Sequence, residues 1–294
     1  MTIEMRDSQL STVVDVDEQV ERVAGGFEFT EGPVWHPREH FLIFSDMPGD
    51  HMRRWSAAEG VTTFRSPSGM ANGNAYDRSG RLVTCEHATS RVSRTELDGT
   101  VVTLADSYDG RSLNSPNDVV VASDGSIYFT DPTYGRQSFV GVPREPELPF
   151  QGVYRIRPDG SLDLLVDDFD QPNGLCFSLD ERQLFVNDTE RMHIRAFAVL
   201  PDGTLGTGRE WAVTEGEGDG APDGMKFDSE GNLYSCGPGG VHVFDPDGAS
   251  LGVLRMPEKA ANFTWGDADL CSLYICASTS LYRIRVRVPG RPSF

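Results

Sequence analysis

The chain has 294 residues, 38% of them hydrophobic, and a formal net charge of −19. That length can fill one large core or two ordinary ones, and so acidic a surface argues against nucleic acid or an anionic membrane as a partner, because phosphate binding needs a basic face. Nothing in the sequence approaches the ~18 apolar residues of a membrane helix, and no signal peptide is visible. The five cysteines show neither disulfide-framework nor zinc-type spacing, so the expectation is a reduced, cytoplasmic protein.

In chain order, residues 1–18 read as an N-terminal extension and 19–294 as a single domain. The segment QVERVAGGF (19–27) has strand character. Short β-branched or aromatic runs then recur as FLIFSD (41–46), RLVTCE (81–86), SIYFTD (126–131), QLFVND (183–188), NLYSCG (232–237) and SLYICA (272–277). Their starts lie 40, 45, 57, 49 and 40 residues apart. Another short apolar segment precedes each, and several are followed by a third strand and a Gly turn. With 31 Gly, 18 Pro and no long amphipathic pattern, the fold class is all-β. Six antiparallel units at this spacing predict a six-bladed β-propeller with four-stranded antiparallel blades. The last unit shows only three strands, so residues 19–27 are expected to supply its fourth and close the ring. A sandwich or barrel with coincidental spacing is the competing architecture.

One residue stands just ahead of the first strand of each unit: Glu31, Asn72, Asn117, Asn173, Asp223 and Asn262. Each precedes the second strand by 9 or 10 residues, so all six share one phase of the repeat and should ring one mouth of a central channel. Local loop capping by Asp and Asn could produce the same pattern. Converging carboxylates and amide carbonyls, however, form a hard oxygen-rich nest suited to Ca²⁺, Mg²⁺ or Mn²⁺. Pro-Asp-Gly occurs four times, at 158, 201, 222 and 246. Three copies follow a third strand and read as hairpin turns; only Asp223 has the phase of the ring. Glu86 and His87, and Asp131 with Tyr134, follow second strands and are candidate substrate contacts at the same mouth. The long insert 136–151 is a candidate lid or a surface excursion.

The motifs EGPVW, NGNAYD, LNSPNDVVVASDGSIYFTDPTYG (113–135), PNGLCFS and PDGMKFD resemble the gluconolactonase and senescence-marker-protein (regucalcin) family, in its bacterial gluconolactonase branch, over about residues 27–285. The resemblance implies metal-dependent hydrolysis of a sugar lactone to the aldonic acid. It implies one divalent ion, calcium first and magnesium, manganese or zinc as alternatives, held by Glu31, Asn173 and Asp223. Asn117 is either a fourth ligand or a substrate contact, with Asn72, Glu86, His87 and Asp131 as further substrate-side candidates. Asp223 takes the place of the family's general base. The animal branch carries a substrate-contacting Arg where this chain has Ser115, so that branch's substrate preference does not carry over. The implied partner is a small lactone, with no nucleic acid or membrane and the oligomeric state open. Competing functions are an organophosphate or ester hydrolase on the same scaffold, a non-catalytic binding propeller, and a metal buffer.

Overall fold

The computed structural model describes residues 2–294. Each of the six apolar runs forms the second strand of an antiparallel sheet of at least four strands. In blade one, Thr30–His36, Phe41–Asp46, His51–Ser56 and Gly60–Arg65 follow one another outward from the axis. Blades two, three and four repeat that order from Ala71–Tyr76, Val119–Val121 and Pro172–Phe177, and blades five and six from Met225–Phe227 and Ala260–Gly266. The first strands touch in sequence around the axis, and that of blade six meets that of blade one. The architecture is the expected six-bladed propeller.

Second strands such as Phe41–Asp46, Ile127–Asp131 and Ser272–Ala277 are buried along their whole length. This follows from their position: each sheet packs one face on the preceding blade and the other on the next, which favours continuous apolar runs over alternation. The core is therefore divided into six wedges between blades. Trp35, Phe44 and Trp55 of blade one meet Tyr274 and Leu281 of blade six in one of them. Tyr128 and Val153 of blade three meet Leu175 and Val186 of blade four in another.

Closure occurs as expected: Glu21–Gly25 pairs antiparallel with Ser280–Arg285, from Glu21 opposite Arg283 to Gly25 opposite Ser280. The residues ahead of this strand also join the ring. Ile3–Met5 adds a fifth strand to blade five, and the short helix Leu10–Val13 buries Leu10 and Val13 in the wedge between blades five and six. Among the described residues no helix is long and apolar enough to cross a membrane.

The Pro-Asp-Gly copies at 158, 201 and 246 lie in turns after third strands, closed for example by Arg157 N–H to Ser161 O at 2.8 Å. The copy at 222 instead leads into the innermost strand of blade five. There the strand approaches come so near one another that side chains do not fit between them. Gly73 N–H donates to Asn117 O at 2.8 Å, and a Cβ on Gly174 would collide with the Asp223 carbonyl oxygen. That same carbonyl accepts from Asn187 Nδ2 at 2.5 Å. Gly174→Ala is therefore expected to destabilise the protein by about 1–3 kcal/mol through overpacking. Urea unfolding should show a lower midpoint at unchanged slope; an unaltered midpoint would show that the approaches yield freely.

Candidate active site

Three of the ring residues reach the axis on approach loops held by carboxylates at the ends of second strands. Asp46 accepts Glu28 N–H at 2.9 Å, ahead of Glu31. Asp131 accepts Asn114 and Ser115 N–H at 2.8 and 2.7 Å, ahead of Asn117. Asp188 accepts Asp170 and Gln171 N–H at 2.9 and 3.2 Å, ahead of Asn173. In blade two the same task falls to Asp50, which accepts Ser68 and Met70 N–H at 2.9 and 2.8 Å, ahead of Asn72. A carboxyl group that accepts two amides of one loop fixes that loop at two points.

These loops bring Glu31, Asn72, Asn117, Asn173 and Asp223 to the wall of one cavity of about 420 Å³, together with His87 and Tyr134. Asn262, the sixth residue of the phase, does not line it. Its Oδ1 accepts from Lys226 Nζ and from Phe263 N–H, both at 2.9 Å, deeper in the channel. Two substrate-side expectations also fail to reach the cavity. Glu86 is buried between Arg65 and Arg91, at 3.1 and 2.7 Å, and accepts from Ser93 Oγ at 2.6 Å. Asp131 is spent on the Asn114–Ser115 amides. Ser115 is internal as well, donating to Pro132 O at 2.5 Å and accepting Gly135 N–H at 2.9 Å.

The insert 136–151 folds over the cavity, and Phe139 and Val140 form part of its wall. Arg136 ties it down through Leu113 O and Asn114 O, and Arg144 through His87 O. Sequence reasoning missed Phe29, Met47, Thr189, Glu190 and Lys259, which also line the cavity. Met47 and Thr189 were findable: each follows a second strand directly, in the phase of His87. Lys259 carries little local signal, although the chain has only two lysines and the other, Lys226, stands in the channel below.

Burial and mutual repulsion dominate the electrostatics. Burial raises Glu31 to about 7, with its own bond from Gly32 N–H to Oε2 at 2.6 Å opposing the shift and Asp118 adding to it. Asp223 is pushed well above the carboxylate range by burial and then by Glu31, against the pull of Lys259. Asn173 Nδ2 donates to Thr189 Oγ1 at 3.1 Å, and Thr189 donates to Pro222 O at 2.6 Å, leaving Asn173 Oδ1 as the free acceptor of that amide. Among the described residues no three His, Cys, Asp or Glu side chains converge as a metal centre. The donor set here is two carboxylates with amide oxygens, and two acids disfavoured by their own company fit a hard cation between them. Cys236 and Cys276 are buried thiols whose pKa values burial raises, so they are packing groups.

Residues 29–279 match the SMP-30/gluconolactonase/LRE-like region. The chain is 32% identical to the gluconolactonase of Zymomonas mobilis, over 96% of this chain and 85% of that protein. It is 28% identical to a pentonolactonase of Haloferax volcanii, over 90% and 93% of the two chains. The solved structure of a gluconolactonase from Xanthomonas campestris superposes with a TM-score of 0.90 at 37% identity, covering 97% of this chain and 95% of that one.

His87 yields a prediction of its own. Its Nδ1 lies 2.8 Å from Val140 O and burial lowers its pKa to about 4. Between pH 6.5 and 4 the unfolded chain binds a proton at this position that the folded protein refuses, so this residue costs stability as pH falls through that window. Subtracting the stability–pH curve of His87→Gln from that of the wild type should leave a slope approaching about 1.4 kcal/mol per pH unit there. Parallel curves would mean that His87 titrates normally.

Proposed function

The chain belongs to the SMP-30/gluconolactonase/LRE-like family and is a lactone-hydrolysing enzyme, and we propose that it opens sugar lactones with the help of one divalent cation and with Asp223 as general base. The observation that supports this reading is the meeting of Glu31 and Asp223 with Asn117 and Asn173 in a single cavity. Glu31, Asn173 and Asp223 would hold the ion, calcium before magnesium, manganese or zinc, with Asn117 as a fourth ligand or a substrate contact. When bound, such an ion supplies Lewis-acid stabilisation of the oxyanion that ester hydrolysis builds up.

The protein's own groups account for the rest of the reaction. Asp223 accepts the proton of the attacking water and returns it to the ring oxygen as the C–O bond breaks, giving the open hydroxy acid. Burial, Glu31 and Asp118 push Asp223 toward its protonated form and Lys259 opposes them; a cation held beside Asp223 would add to the pull of Lys259 and favour the basic form. Phe29, Met47, Phe139 and Val140 supply an apolar wall that keeps bulk water from the carbonyl. His87 and Asn72 line the same cavity and would touch the substrate's ring.

Asp223→Asn is expected to leave a folded protein, judged by circular dichroism, whose kcat/KM on an aldono-lactone falls by roughly 10²–10⁴. Near-normal turnover would remove Asp223 from the mechanism. EDTA should abolish acid release and Ca²⁺, Mg²⁺ or Mn²⁺ should restore it, whereas indifference to EDTA would sink the cation. Assay of a phosphotriester beside the lactone panel separates the competing hydrolase: activity on the phosphotriester alone would displace the lactonase reading.

A further inference from the structure

Asn72 is 3% exposed and lines the cavity, yet its buried Oδ1 has no hydrogen-bond partner among the described residues. A buried acceptor left unmade costs about 1–3 kcal/mol, so its persistence calls for an explanation. The bonds around it supply one. Val140 O can only accept, so the 2.8 Å contact puts the proton of His87 on Nδ1. In the neutral ring Nε2 is then a bare acceptor, and it lies 3.1 Å from Asn72 Nδ2. The amide is thereby locked with its NH₂ toward His87 and its oxygen left over. Rotating the amide would set two acceptors against each other.

We propose that Asn72 Oδ1 is a preset acceptor for one hydroxyl of the substrate, with His87 and the Val140 carbonyl as the groups that position it. This rests on the lactonase reading and narrows it. The enzyme takes lactones that carry a hydroxyl at one defined ring position and rejects analogues lacking it, because those leave the buried oxygen unpaired. Plain alkyl lactones, which offer no ring donor, fall outside the substrate class. The covering segment takes part in the choice: Val140 lies between Arg136 and Arg144, which anchor the insert to Asn114 O and His87 O, so the same insert that covers the cavity also sets the tautomer of His87 and, through it, the orientation of the amide.

The test is calorimetric binding of a polyhydroxylated δ-lactam, which is not hydrolysed, and of its mono-deoxy analogues to the full-length protein in calcium-containing buffer. Wild type should bind one of the deoxy lactams about 10- to 100-fold more weakly than the parent. Asn72→Ala should bind that pair equally. His87→Phe should lose most of the discrimination and His87→Gln, whose Oε1 can again accept from the amide, should recover part of it. Wild type that binds every deoxy analogue as tightly as the parent overturns the proposal, as does Asn72→Ala that discriminates like wild type. Selective lactam binding without any lactone turnover would overturn the lactonase reading and leave the acceptor assignment standing.

Discussion

The close approach of six chain segments around one axis is the constraint on which this structure depends. Backbone that converges so tightly and is buried from bulk solvent must have its polar groups satisfied within the protein. The protein answers with buried carboxylates: Asp46, Asp131 and Asp188, placed at the inner ends of second strands, each accept amides from the loop that delivers a ring residue. Glycines beside the ring residues then let neighbouring carbonyls come into contact. Site geometry follows from these two devices, because the side chains that face the cavity hang directly from the clamped backbone.

The same convergence sets the electrostatics. Acids gathered on one axis repel one another and are stripped of solvent, which raises both Glu31 and Asp223. One lysine stands in the channel beneath them, bonded to Asn262 and pulling on Asp118, and a second stands at the mouth beside Asp223. These charges relieve the repulsion only in part. That residual repulsion is the electrostatic ground of the proposed cation, and it follows from the fold and not from any single residue.

Much of this was legible in one dimension. A repeat of 40 to 57 residues, written in apolar runs and turn clusters, specifies a propeller because a single blade cannot bury its own two faces. The phase of the repeat singled out Glu31, Asn72, Asn117, Asn173 and Asp223, and the structure places all five in one cavity. The phase argument failed at Asn262, where the side chain turns to Lys226 one layer deeper. It also misjudged Glu86 and Asp131: an acid at the end of a second strand looks like a substrate contact until its neighbours are known, and here two arginines and two backbone amides claim those carboxylates.

Periodicity, then, is what the sequence by itself determined: blade number, the closing strand at residues 19–27 and the register of residues on the channel mouth. Those are properties of spacing, and spacing is read along the chain. Tertiary structure alone decided which way each polar side chain is spent. Whether His87 presents a donor or an acceptor to Asn72 depends on Val140, 53 residues away, and Asp223 meets Lys259 only because blades five and six abut at the axis. Hydrogen bonds and charge repulsion act over a few ångströms of space, so no one-dimensional pattern contains them.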